Sequence, residues 1–248
     1  WNILRSKYYR NITYLNNFLL RSYIVENYLD RQLLEQHIYT KNQKFPIRFI
    51  LSNNKNKHKI FELKDKYDYY DLVSYYKENK YNIIQSLEDN IFVYQEKILT
   101  FESYILICKY QGNIKMYVFE DIKYLLFDLA TGNYIKAQKV ELLLKNELFK
   151  EKYEEIIHNL YRNYKFLYKS ILDFLKLENI LEDCKMFEIF KVNHFLDINF
   201  NLYLFDINRK INYVSEEDKS HVLKLVNQGY NLMRDQINLE DSNFLEVS

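Results

Sequence analysis

From about Glu147 to Leu177, apolar residues fall at Ile156, Ile157, Leu160, Tyr164, Leu167, Ile171, Leu172 and Leu175. Steps of three and four residues gather them on one side of an α-helix and leave the charged residues on the other. So long an amphipathic helix cannot shelter its own stripe; it must lie on a second layer. The flanking sequence indicates what that layer is. Leu99 to Lys109 and Ile114 to Glu120 read as strands around Gln111-Gly112-Asn113, a hairpin. Met186–Leu196 and Leu202–Ile207 read as a second pair around the polar turn Asp197-Ile198-Asn199.

Further strands are expected at Tyr81–Leu87 and in 46–63, where two apolar runs flank a basic loop of about eight residues. Leu72, Val73 and Tyr76 have helical spacing within the charged, Tyr-rich stretch 64–80. Ser215-Glu216-Glu217-Asp218 fits a capping box for a last helix running to Met233. Strand pairs alternating with single helices specify an α+β fold with a mostly antiparallel sheet, a long amphipathic helix and a C-terminal helix. Residues 1–45 give no clear elements, 46–234 form the domain, and 235–248 read as an exposed polar tail.

Composition narrows the function classes. With 48% hydrophobic residues the chain can bury a core, and a net charge of +1 creates no global field for nucleic acid or anionic lipid. No apolar run reaches the ~20 residues that span a bilayer. Only 3 glycines and 1 proline are present, a skew that AT-rich codons would produce. Loops that close backbone N–H groups on phosphate usually need glycine, so the scarcity weighs against a loop-built nucleotide site. Cys108 and Cys184 read as buried small hydrophobes in a reducing compartment. His37, His58, His158, His194 and His221 show no metal-ligand spacing and read as surface or structural residues. The tyrosine cluster Tyr67-Asp68-Tyr69-Tyr70 could stack bases, but packing or interface surface is favoured. The N-terminus, Trp1-Asn2-Ile3, has neither a starting Met nor a signal-peptide pattern, which fits the ordered part of a longer product.

Four blocks, in order, carry a family resemblance. Phe187–Asn208, FEIFKVNHFLDINFNLYLFDIN, follows F-E-x-F-G-F-D-x-x-x-D-x-x-L-x-x-W-L-x-E-x-N without a gap over 22 positions, matching at Phe187, Glu188, Phe190, Asp197, Leu204 and Asn208. Ile83–Phe127 contains IIQSLED, EKILTFESYILICK and NIKMYVFED, similar to V-Q-x-Y-I-x, to G-x-K-F-D-L-R-x-Y-V-L-V and to the strand pairing with the latter. YLLFDLATGNY is similar to G-x-x-R-F-A-T-E-x-Y, and FILSNNKNKHKIFEL to W-I-x-K-P-x-x-x-x-x-G-x-G-I-x-L. Together these resemble the ATP-grasp half of the tubulin tyrosine ligase-like family.

That resemblance implies an ATP-grasp fold and an ATP- and Mg²⁺-dependent ligation of an amino acid through an acyl phosphate. It also implies where the chemistry sits. The metal-side positions fall on Asn193, Asp206 and Asn208. Asn208 matches, Asp206 shortens a Glu, and Asn193 replaces an Asp, so one charged Mg²⁺ ligand is lost. The transition-state Arg falls on Glu102 and the Asp before it on Thr100. A carboxylate there repels a triphosphate, where an Arg would stabilise the developing charge. The nucleotide-side positions fall on Ser52, Lys57, Lys59 and Gln85, with Ser52 in place of a phosphate-binding Lys. Lys55–Lys59 is basic but lacks the glycines of the family's turn, and the H-L-T-N segment has no counterpart.

The expectation is therefore a ligase-like fold with degenerate chemistry, a cytoplasmic, cytoskeleton-associated binding or structural component with protein partners such as tubulin. Two alternatives stand beside it. One is an active ATP-dependent ligase modifying tubulin tails; the other is a structural subunit of a large assembly, for example a mitochondrial one. Neither nucleic acid nor membrane is expected as a partner.

Overall fold

A computed structural model of the chain describes residues 19–40, 44–53, 58–87, 91–94, 97–110, 113–119, 122–131, 133–136, 147–177, 187–208, 216–233 and 244–247. Lys57, Cys184 and Ser215 lie outside the described residues. The described strands form two antiparallel sheets.

The smaller sheet has four strands in the order β1-β4-β2-β3: β1 (Ser22–Tyr23), β2 (Ile47–Ser52), β3 (His58–Leu63) and β4 (Ile83–Leu87). Residues alternate across β2 and β3. Phe49, Leu51 and Leu63 face two helices, α1 (Tyr28–Tyr39) and α2 (Tyr69–Glu78), which bury Leu34, Ile38, Leu72 and Tyr76 against them. Ile50 and Ile60 face the other way. Because β3 starts at His58, the connection after Ser52 is shorter than the loop expected from composition. Asn27 caps α1, its Oδ1 accepting from the N–H groups of Leu29 and Asp30 at 3.0 and 3.2 Å. At the end of α2 the glycine-poor sequence puts Lys80 in the left-handed region, φ 54°, while Tyr81 N–H bonds Tyr76 C=O at 3.1 Å.

The larger sheet has eight strands, with the path β11-β10-β6-β7-β12 and β5, β8 and β9 attached beside it. These are β5 (Val93–Tyr94), β6 (Lys97–Tyr110), β7 (Asn113–Phe119), β8 (Lys123–Asp128), β9 (Tyr134–Lys136), β10 (Phe187–Leu196), β11 (Leu202–Asn208) and β12 (Phe244–Glu246). β6 is the spine, pairing with β5, β7, β8 and β10. The long helix is α3 (Glu147–Leu177). Ile156, Leu160, Tyr164 and Leu167 are its buried stripe, packed on Leu99, Phe101, Ile105, Val192 and Leu204. At about 1.5–3 kcal/mol per fully buried large apolar side chain, that stripe is the main anchor of the layer.

The sheet's other face is divided. At one end the C-terminal helix α4 (Glu216–Met233) packs Val222 and Leu225 on Tyr104, Leu106 and Ile189. Gly229 permits this approach: a Cβ there would stand 3.1 Å from Leu106 Cδ2. At the other end Ile98, Phe127, Phe195 and Phe205 meet Ile50 and Ile60 of the smaller sheet. Between these two coverings lies a strip of polar residues.

The tail expected to be polar and exposed departs from that expectation where it is described. Phe244–Glu246 pairs with β7, and Phe244 is buried with its ring centroid 5.3 Å from that of Phe119. Phe244 and Val247 supply the apolar surface, and the β7 edge supplies backbone partners.

Candidate functional site

The polar strip is built by strand register. Lys123 of β8 pairs with Glu102 of β6, Glu102 with Asn193 of β10, and Asn193 with Asp206 of β11. One row of four polar residues thus crosses four strands. The next row is Tyr104, Lys191 and Asn208, and on the other side Thr100 pairs with Phe195. A bulge beside Asn193 and His194 makes Phe205 the extra residue of β11, which sets Phe205 and Asp206 toward the same side. The turn feeding β11 is locked by Asp197, whose Oδ1 accepts from Asn199 and Asn201 N–H at 2.8 Å each, holding Phe200 at φ 63°.

Glu102, Asn193, Asp206 and Asn208, separated in sequence, therefore stand together on one face. Asn208 Nδ2 donates to Asp206 Oδ2. Glu102 is held twice: Lys191 Nζ lies 3.1 Å from its Oε2, and Tyr104 O–H donates to its Oε1 at 3.0 Å. The Lys123 ammonium stands 5.9 Å from the Tyr104 ring centroid. Asn193 is fully buried, and among the described residues neither its Oδ1 nor its Nδ2 has a hydrogen-bond partner. Thr100 is turned to structure, donating its hydroxyl to Leu125 C=O at 3.0 Å.

The smaller sheet contributes where it packs against the strip. Gln85 is buried and donates Nε2–H to Phe205 C=O at 3.1 Å, tying β4 to β11. His58 lies among Phe127 and Phe205, ring centroids 5.8 and 5.0 Å away. Its Nδ1 is 2.8 Å from Ser52 Oγ, and its Nε2 is 4.0 Å from Asp206 Oδ2. Burial pushes the His58 pKa down; the Asp206 carboxylate opposes that shift and the Lys191 ammonium adds to it. Burial prevails, so the contact is a neutral imidazole beside a carboxylate rather than an ion pair. The carboxylate favours a proton on Nε2, leaving Nδ1 to accept the Ser52 hydroxyl.

Ser52 and Gln85, expected on the nucleotide side, thus lie where the smaller sheet meets the strip, on His58 and Phe205. Lys59 does not: one residue past His58, it alternates onto the helix-covered side of β3 and is exposed. Lys123, Tyr104, Lys191 and His58 were not singled out from the sequence as site residues. Lys191 occupies the glycine position of the F-E-x-F-G-F-D pattern, two residues before Asn193 on the same face. His58, read there as surface or structural, is brought to Asp206 only by the packing of the sheets.

On the opposite face His194 is completely buried, its ring centroid 5.5 Å from that of Tyr164, and burial pushes its pKa down to about 3. The Tyr164 hydroxyl bonds Ser103, and burial raises its pKa. Cys108 is buried as expected, its pKa pushed up to about 11 by desolvation.

Comparison with solved structures places this architecture. The chain is similar to the C-terminal domain of K. lactis Pby1, described as an ATP-grasp enzyme interacting with the mRNA decapping enzyme Dcp2. The TM-score is 0.58 at 15% identity, covering 100% of this chain and 79% of that one. No protein-family model and no curated protein matches the sequence. At that identity the likeness concerns the fold: the chain has an ATP-grasp-like α+β architecture with mostly antiparallel sheets.

An ATP-grasp site implies Mg²⁺ bound by charged oxygens. The strip does not fit that ion well. Asp206 already accepts from Asn208, Asn193 is a neutral amide, and Glu102 is ion-paired with a lysine belonging to the same strip.

Proposed function

We propose that this protein is a tubulin tyrosine ligase-like member of the ATP-grasp fold that has lost ligase chemistry and acts as a binding or structural component. The row Lys123–Glu102–Asn193–Asp206 carries the reading. Where the family resemblance implies an Arg and an Asp, this row has a Glu and an Asn, and the Glu is neutralised internally by Lys191. A fold can outlast its reaction because core packing and site charge reside in different side chains.

Protein partners suit the remaining surface. Tyr28, Leu29, Leu33, Tyr39, Tyr67 and Tyr70 are exposed on the α1–α2 side, and exposed tyrosines are favoured at protein interfaces. Pby1, which shares the fold, is described as interacting with another protein. Tubulin as the partner, with a cytoplasmic, cytoskeletal location, rests on the family resemblance alone. Cofractionation with tubulin supports it; cofractionation with organelle particles favours the structural-subunit alternative.

The active-ligase alternative draws on Asp206 and Asn208, which stay together beside the cleft. Titration calorimetry with ATP and Mg²⁺ tests the proposal. No Mg²⁺-dependent heat is expected; binding below millimolar, with transfer of an amino acid to purified tubulin, establishes the alternative.

A further inference from the structure

We propose that Lys191 is a tethered cation that replaces a bound metal ion in balancing the carboxylates of the cleft. The inference rests on the reading of the cleft as non-ligating and adds the device that lets it persist.

Glu102 and Asp206 flank β10 on either side, so their backbones are roughly 10 Å apart, two strand spacings. Both are largely buried. Two buried carboxylates on one face require compensating positive charge. In a metal-dependent site a divalent ion supplies it and can dissociate. Here Lys191 rises from the strand between them, its Nζ 3.1 Å from Glu102 Oε2. Its ammonium also acts on His58, which itself approaches Asp206. Lys191 therefore pairs directly with Glu102 on one side of β10 and stands in register with Asn208 on the other. The further groups facing it are Lys123 and Tyr104 beside Glu102, and Asn208 beside Asp206.

Asn193 supplies an independent observation. It lies in register between the two carboxylates, completely buried, with its amide oxygen and nitrogen both unpartnered. Buried polar atoms are rarely left so. An amide oxygen between two carboxylates is a hard-cation ligand, and the ammonium already present pairs with the Glu102 carboxylate without meeting the amide. A lysine on a fixed strand is present at every ion concentration, so the cleft holds its shape with no dependence on divalent ions.

The test is ion binding by the whole chain and its variants, with Mg²⁺, Ca²⁺ and Tb³⁺ as probes, read by thermal melting and by tyrosine-sensitised Tb³⁺ luminescence. The native chain and Lys191→Arg are expected to show no saturable stabilisation. Lys191→Met is expected to gain a saturable site, binding Tb³⁺ at least about tenfold tighter than the native chain, as one released charge would provide. Lys191→Met combined with Glu102→Gln should lose that gain. Lys191→Gln, which can still donate to Glu102, reads the same quantity if Lys191→Met does not fold. A folded uncharged variant that gains no ion site overturns the tether, as does a native chain that binds the ions equally well. Either result leaves the loss of ligase chemistry to be decided by ATP binding, since these titrations contain no nucleotide.

Discussion

Replacing Asn193 by Leu should make the protein more stable. Asn193 has no exposed surface and, among the described residues, no partner for either amide atom. Burying an amide without hydrogen bonds costs about 1–3 kcal/mol by mutational measures. Leucine has similar bulk, carries no such penalty, and gains from burial. Beside Asp206 and Glu102 the loss of a dipole offsets part of that gain, so a net stabilisation of about 1–3 kcal/mol is expected. At roughly 2–4 °C per kcal/mol for a chain of this size, the melting temperature should rise by about 2–12 °C. Urea and thermal unfolding followed by circular dichroism measure it. Asn193→Ala provides the control: it removes the orphaned amide but opens a cavity, and the two effects should roughly cancel. A loss of more than about 1 kcal/mol in Asn193→Leu would mean the amide is held by a partner in solution, and that the strip is a ligand site.

Three other predictions concern the same architecture. Lys191→Met should cost about 3 kcal/mol because it strands a buried Glu102, and adding Glu102→Gln should recover much of it; strict additivity in the double-mutant cycle would deny the coupling. The native His194 pKa of about 3 lies below the ordinary 6.5, so below pH 6.5 the unfolded chain takes up a proton that the native chain refuses. Stability should therefore fall by roughly 1.4 kcal/mol per pH unit from this residue, about 2 kcal/mol between pH 7 and pH 5, and His194→Phe should lose correspondingly less; equal losses would contradict the burial argument. Lys80→Gly should stabilise by about 1 kcal/mol by relieving the left-handed backbone at the end of α2, and a destabilised variant would mean that the Lys80 side chain contributes more than the strain costs.

The long helix was legible because a burial stripe repeats over many turns, so single ambiguous residues did not matter. β10 and β11 were legible because Asp197 marks their turn and the gapless spacing sets their register. That register is also why Glu102, Asn193, Asp206 and Asn208 could be expected together. Lys191 was invisible for a chemical reason: at a glycine position no side-chain role is anticipated, and a lysine in sequence does not reveal its ion partner. His58 reads in sequence only as surface or structural, and its approach to Asp206 arises through the packing of two sheets. Lys59 shows the opposite hazard, since a shift of one residue along a strand reverses the face. The strand at Phe244 escaped notice because three residues carry too little periodicity, and the free edge of β7 is a tertiary feature.

Calorimetric titration of the native chain with ATP, with and without Mg²⁺, decides whether the cleft has left ligase chemistry behind. The proposed reading, one carboxylate fewer than the family resemblance implies and the Lys191–Glu102 pair beside Asn193, predicts no Mg²⁺-dependent heat at nucleotide concentrations up to about 1 mM, an affinity weaker than roughly 4 kcal/mol. Saturable binding tighter than that, lost when Mg²⁺ is chelated or when Asp206→Ala is introduced, would contradict it.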